Sequence, residues 1–112
     1  ENIVLITVNT KEMKKKQGKK QIKNRLDKLW GQLVHLKDRC EVCGKGNNLN
    51  AHHIIGRRSL NTRWDLRNSC LLCPNCHTFG KLSAHQNPIW FDEWLEKKHP
   101  DDRNYLKMRF SV

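Results

Sequence analysis

Acidic residues are scarce in this sequence: 11 Asp and Glu stand against 22 Lys and Arg among 112 residues, a formal net charge of +11. A surface so short of negative charge argues for a polyanionic partner, because each phosphate neutralised by a cation releases condensed counterions. Lipidation motifs are missing too, which disfavours a membrane surface as that polyanion and leaves nucleic acid. Long apolar runs are absent. The opening stretch "ENIVLITVNT" is far too short to span a bilayer, and it has neither the basic segment nor the small-residue cleavage site of a secretory leader. The expectation is a reducing, cytoplasmic setting with no membrane association. There is no internal repeat, no low-complexity tract and no sign of a second domain. A chain of 112 residues buries a limited core and often needs a staple.

What is present begins with local patterning. Ile3, Val4, Leu5, Ile6 and Val8 read as a short β-type run. The following "KEMKKKQGKKQIKNR" is a basic block almost without apolar residues, either a solvated arm or one that contacts DNA. From Gln21 to Asp38, the apolar residues Ile22, Leu26, Leu29, Trp30, Leu33 and Leu36 recur at helical spacing, with Lys23, Arg25, Lys28 and Lys37 on the opposite side. That pattern predicts an amphipathic helix whose apolar stripe is core. A second helix is expected after Asn87, which can cap it. Pro88 suits its first position, Trp90, Trp94 and Leu95 can pack inward, and Pro100 stops it. The tail "DDRNYLKMRFSV" has room for one more short element.

The cysteines look like the staple. Cys40-x-x-Cys43 and Cys73-x-x-Cys76 are separated by 29 residues. Two such knuckles can set four thiolates around a tetrahedral Zn²⁺, and Gly44 suits the tight turn after the first. Cys70-x-x-Cys73 is also a legal pair. "CPNC" reads as a knuckle turn and "CLLC" as strand, so Cys73 and Cys76 are favoured. Cys70 is then expected to be a small buried apolar residue.

Between and just after the knuckles stand His52, His53, Asn68 and His77. "LNAHHII" reads as a strand, "GRRSLNTRWDL" as a long loop, "RNSCLLC" as a returning strand and "PNCHTF" as a helix start. Neighbouring side chains on a strand point to opposite faces, so His52 and His53 are expected to do different work. Arg57, Arg58, Arg63 and Arg67 flank the site on the loop, where they could grip phosphates. Pairing of some of them with Asp65, or simple solvation, is the alternative. His35 and His99 have no evident partners.

Three motifs act together: "AHH" on the first strand, the Asn five residues before the third knuckle cysteine, and "CPNCH" opening the helix. They make the segment from Cys40 to His85 resemble the HNH endonucleases of the ββα-metal superfamily, in the subgroup with two C-x-x-C knuckles. "TRWDLRN" and "SAHQNPIWFDEWL" are similar to phage-borne members of that family. Residues 1–39 lie outside the resemblance. It implies a small α+β ββα-metal module stapled by a four-cysteine zinc site, with flanking N-terminal and C-terminal helices. It also implies DNA cleavage by phosphodiester hydrolysis with one divalent metal ion, leaving 5′-phosphate and 3′-hydroxyl ends.

Carried over residue by residue, the resemblance implies His53 as general base and His52 and His77 as ligands of the catalytic metal. Asn68 would steady the hairpin's long loop and is grouped with His53 in the catalytic set. His85 is the further candidate ligand. In an unbroken helix it would lie about 12 Å beyond His77 along the axis, at 1.5 Å per residue. That is too far for two ligands that each sit roughly 2.0–2.1 Å from one ion. His85 can therefore join only if the helix bends or ends, and Gly80 is where that could happen. Imidazole ligands at His52, His77 and His85 would favour Mn²⁺, Co²⁺ or Ni²⁺ over Mg²⁺.

The expected organisation is a basic N-terminal extension with an amphipathic helix at 1–39, an HNH core with zinc knuckles at 40–86, and a C-terminal helical extension at 87–112. The expected partner is double-stranded DNA, bound by a monomer, in the host cytoplasm if the chain is phage-encoded. The rival reading is a non-catalytic zinc-ribbon DNA-binding protein, or an accessory factor working with phage packaging or recombination proteins. His53 separates them: a binding module has no need for an unliganded imidazole beside a metal site.

Overall fold

Alternation along two short strands sets the layers of this molecule. The computed structural model describes residues 18–111; the expected β-type run and Lys14, Lys15 and Lys16 of the basic block lie outside the described residues. In chain order come α1 (Lys19–His35), β1 (Asn50–His52), β2 (Cys70–Leu72), a π-type helical turn (Asn75–Phe79), α2 (Pro88–Lys98) and α3 (Pro100–Ser111). This is a small α+β fold. The strands are antiparallel, with Asn50 opposite Leu72, Ala51 opposite Leu71 and His52 opposite Cys70.

Side chains alternate across a strand, so the sheet has two faces, and both are covered. Leu71 and Ala51 meet Trp30 and Val34 of α1, together with Leu49, Trp64 and Leu66. Cys70 and Leu72 face the other way, into a cluster with Cys40, Cys73, Cys76, Ala84 and, from α2, Phe91 and Leu95. A solitary two-stranded hairpin is marginal in water; packing on both faces is what makes three-residue strands sufficient.

Helix α1 starts and ends earlier than its apolar pattern suggests. Leu36, counted in the apolar stripe, is the C-cap residue and is 77% exposed, whereas Val34 is buried. The helix stops at His35, and Asp38 adopts a left-handed φ of 72°, a region open to Asp more than to most residues. Leu36 therefore drops out of the helical register that would have turned it inward.

Helix α2 follows its local signals. Asn87 Oδ1 accepts the Trp90 backbone N–H at 3.0 Å, and Pro88 occupies the first turn. Phe91 and Leu95 are buried, while Trp90 and Trp94 are half-buried. Pro100 ends α2 and also begins α3, since its fixed φ and missing N–H cost nothing in a first turn. The tail is thus a full helix of 12 residues. It docks on the loop between the strands: Leu106 is buried, the Tyr105 hydroxyl donates to the Asp65 carboxylate, and Arg67 bonds Asp102 at 2.7 Å and lies 3.9 Å over the Tyr105 ring.

Candidate active site

The four knuckle cysteines converge. The sulfurs of Cys40, Cys43, Cys73 and Cys76 all lie within 4.8 Å of one another, and Cys43 Sγ is 3.6 Å from Cys73 Sγ. Zn–S bonds of about 2.3 Å at tetrahedral angles put sulfurs roughly 3.8 Å apart, so the set is compatible with a structural zinc. Gly44 closes the first knuckle with a φ of 83°, its N–H donating to the Cys40 carbonyl at 2.9 Å. The N–H groups of Cys43 and Cys76 point at Cys40 Sγ and Cys73 Sγ, each at 3.5 Å. Burial alone would raise the Cys40 thiol, but backbone N–H groups around it hold it down at about 7. Cys70 stands outside this group, buried in β2, where burial pushes its thiol up and keeps it protonated.

Three histidines form a second cluster. His52 projects from β1 towards α2, its ring 5.3 Å from Phe91 in an edge-on contact. Ring nitrogens of His52, His77 and His85 lie within 4.8 Å of one another, and the Nε2 atoms of His77 and His85 are 3.1 Å apart. Two imidazole nitrogens sharing an ion at about 2.0–2.1 Å would be separated by roughly 2.9–3.4 Å. The donor set fits a single divalent ion.

His85 gets there because no helix continues past Phe79. The Gly80 N–H closes the π-type turn onto the Asn75 carbonyl at 2.8 Å, and a Cβ on Gly80 would meet that same oxygen at 2.7 Å. The chain then folds back, so that the Ala84 N–H reaches the Cys76 carbonyl at 2.9 Å and the His85 N–H reaches the His77 carbonyl at 3.0 Å. Asn50, on the same strand face as His52, sets His77. Its Oδ1 is 3.2 Å from His77 Nδ1, and an amide oxygen only accepts, so Nδ1 carries the proton and Nε2 keeps its lone pair. Burial, reinforced by the neighbouring His77, His85 and His53, pushes His52 down to about 3. Burial followed by His85 lowers His77 as well. Both are neutral imidazoles near neutral pH, the form that binds metal.

His53 goes to the other side of the sheet. Its ring stacks on Trp30 of α1, with centroids 3.7 Å apart and planes within 7°. Nε2 lies 2.8 Å from the Arg63 carbonyl. A carbonyl accepts, so Nε2 carries the proton, and Nδ1 keeps a lone pair with no hydrogen-bond partner among the described residues. Burial lowers the His53 pKa, opposed by the Arg63 carbonyl and by Asp27. The two kinds of histidine nevertheless border one cleft of about 240 Å³, lined by Ala51, His52, His53, Gly56, Arg57, His77 and His85.

The remaining expected residues divide. Asn68 is fully buried and clamps the loop. Its Nδ2 donates to the carbonyls of Ile55 and Thr62, each at 3.0 Å, and its Oδ1 accepts the Ile55 N–H at 2.6 Å. It does not line the cleft that His53 borders; all three of its hydrogen bonds go to the backbone of the loop between the strands. Arg63 grips Asp27 through two nitrogens at 3.0 and 2.7 Å, and Arg67 is held by Asp102 and Tyr105. Neither guanidinium pairs with Asp65, although the Arg67 backbone N–H does, at 2.9 Å. Arg57 reaches Asp27 at 3.2 Å yet stays 61% exposed at the cleft rim. Arg58 is exposed, with no ion pair among the described residues.

Sequence reading missed Asp27 and Asn50 and took Trp30 as core alone. Signals for two of them existed. Asp27 is the sole acid in α1, and Asn50 stands two residues before His52, hence on its face.

No helix among the described residues is long and apolar enough to cross a membrane. No curated protein and no solved structure matches the chain significantly. A family model described as HNH endonuclease matches residues 40–79, from the first knuckle cysteine through both strands, His77 and the π-type turn. That family points to a nuclease or DNA-binding function. Residues 40–79, which carry the four knuckle cysteines and the adjacent His52 and His53, are thus the part of the chain that is similar to HNH endonucleases.

Proposed function

We propose that this chain is a metal-dependent DNA endonuclease with a structural zinc at Cys40, Cys43, Cys73 and Cys76. The observation that carries this reading is the division between adjacent histidines. His52 joins His77 and His85, while His53 stands apart with one nitrogen fixed and the other open, and both line the same cleft. A module that only binds DNA has no use for that arrangement.

His52, His77 and His85 would hold one divalent ion, which when bound supplies positive charge beside the scissile phosphate and its leaving oxygen. His53 takes a proton at Nδ1 from a water in the cleft. The oxygen so activated attacks phosphorus, the bond to the 3′ oxygen breaks, that oxygen takes a proton from solvent, and the products carry 5′-phosphate and 3′-hydroxyl ends. Burial holds His53 below its ordinary value, so it is in the basic form at neutral pH. Arg57 and Arg58 are the loop arginines suited to grip flanking phosphates, Arg63 and Arg67 being engaged within the protein. The overall positive charge favours double-stranded DNA as the partner. The decisive experiment is plasmid cleavage with wild type and His53→Ala across Mn²⁺, Co²⁺, Ni²⁺ and Mg²⁺. Cleavage by wild type, abolished or strongly reduced in His53→Ala, supports the reading; equal rates in the two proteins overturn it.

A further inference from the structure

The geometry points to α1, a helix outside the matched HNH segment, as part of the catalytic apparatus: Trp30 and Asp27 are positioning residues for His53. This inference rests on the reading of His53 as the base.

His53 follows the last residue of β1, and its one hydrogen bond among the described residues goes to the Arg63 carbonyl. One bond through Nε2 fixes a direction but leaves the ring free to swing about it. The Trp30 face supplies the missing constraint, a parallel stack at 3.7 Å and 7°. Trp30 is itself held, buried in the core under Leu71, with its Nε1–H donated to the Asp65 carbonyl at 3.1 Å. Stack and hydrogen bond together leave Nδ1 as the free nitrogen of a ring that cannot turn without losing one of them.

Asp27 lies one turn earlier on α1 and acts on the other constraint. Its carboxylate takes both nitrogens of the Arg63 fork, the Trp64 Nε1–H at 2.9 Å and the exposed Arg57 at 3.2 Å. Arg63 is the residue whose carbonyl holds His53. Asp27 therefore locks the stretch of loop that carries this acceptor, while Trp30 locks the plane of the ring. Both come from one face of one helix, at i and i+3. An HNH segment cut away from α1 would keep His53 but lose both constraints on it.

The test uses the full chain with plasmid DNA and saturating Mn²⁺, comparing Trp30→Leu, Trp30→Phe and Asp27→Asn, each alone and combined with His53→Ala. Trp30→Leu is expected to lower kcat by about 10²-fold, the usual cost of misplacing a reacting group by roughly 1 Å, with KM for DNA and Mn²⁺ affinity unchanged. Trp30→Phe, which keeps a flat face, should recover most of that loss. Asp27→Asn should lower kcat in the same manner. In the His53→Ala background neither Trp30→Leu nor Asp27→Asn should cost anything further, because an effect transmitted through His53 vanishes with it. Losses that persist in that background mean that α1 serves the fold alone, and an unchanged kcat in folded variants overturns the inference equally. Should Trp30→Leu fail to fold by circular dichroism, Asp27→Asn and its double variant decide on the same terms. If His53→Ala itself cleaves like wild type, the underlying reading fails, a result distinguishable from failure of the positioning role.

Discussion

The four-cysteine and three-histidine clusters each gather their ligand atoms within 4.8 Å of one another, yet they sit in opposite surroundings. Three of the four cysteines are buried and belong to the core cluster that joins β2 to α2. The histidines lie at a cleft, His52 and His77 half-buried and His85 exposed. A closed set of four thiolates leaves no position for a reactant and can only contribute folding free energy. Three imidazoles would leave coordination positions on a bound ion unfilled, and they border a cleft open to solvent. Ligand distances alone do not distinguish a staple from a reaction site; what surrounds the ligands does.

The sharpest way to break this contrast is to remove each set in turn. Cys40→Ser or Cys76→Ser should abolish the fold, since structural zinc in small domains is worth about 10 kcal/mol or more, comparable to the whole stability of a domain at roughly 5–15 kcal/mol. Zinc content and far-ultraviolet circular dichroism read the outcome. Cys70→Ser should keep zinc and fold. His52→Ala should keep both while weakening binding of the second ion. Zinc loss in Cys70→Ser with retention in Cys76→Ser would overturn the assignment of the staple.

Next in size is the base. His53→Ala should slow cleavage by about 10²–10⁴-fold while calorimetry still detects the divalent ion at the histidine cluster. Equal loss of ion affinity in His53→Ala and His52→Ala would erase the distinction between the two neighbours.

Asn50→Ala tests whether the open site depends on an outer partner. Losing the acceptor at His77 Nδ1 is expected to weaken ion binding by about 10–100-fold, with zinc content unchanged. No change would mean that His77 needs no such support.

The pH profile refines the same comparison. Burial disfavours protonated His53, so the free base dominates above an inflection that lies below the ordinary value of about 6.5. At saturating metal the cleavage rate should rise with pH through that inflection and level off by neutral pH. An inflection above about 7 would contradict a buried base. The smallest effect belongs to Arg58→Ala, which should reduce the slope of log K against log salt by about 1 if that side chain meets a phosphate.

Much of the site is legible along the chain because its signals are local. The C-x-x-C spacings mark the knuckles, and strand alternation separates His52 from His53. Asn87 and Pro88 mark where α2 begins. The arginines carry no such local signal. Their fates depend on Asp27 and Asp102, 36 and 35 residues away from Arg63 and Arg67, and no local pattern announces which cation will meet which acid. The place of His85 is non-local for the same reason. Gly80 offered a place to break, but only the close approach to the Asn75 carbonyl brings the chain back onto His77.

By itself, then, the sequence determined the chemistry on offer: thiol and imidazole ligands in the right order, an α+β alternation, and a positive surface. Tertiary structure decided which groups remain free to act. Folding places Trp30 against His53, draws Arg63 and Arg67 into ion pairs, and buries Asn68 under three hydrogen bonds. The physical reason is range. Backbone periodicity and capping act over a few residues, whereas stacking, ion pairing and burial join residues that only the folded chain brings into contact.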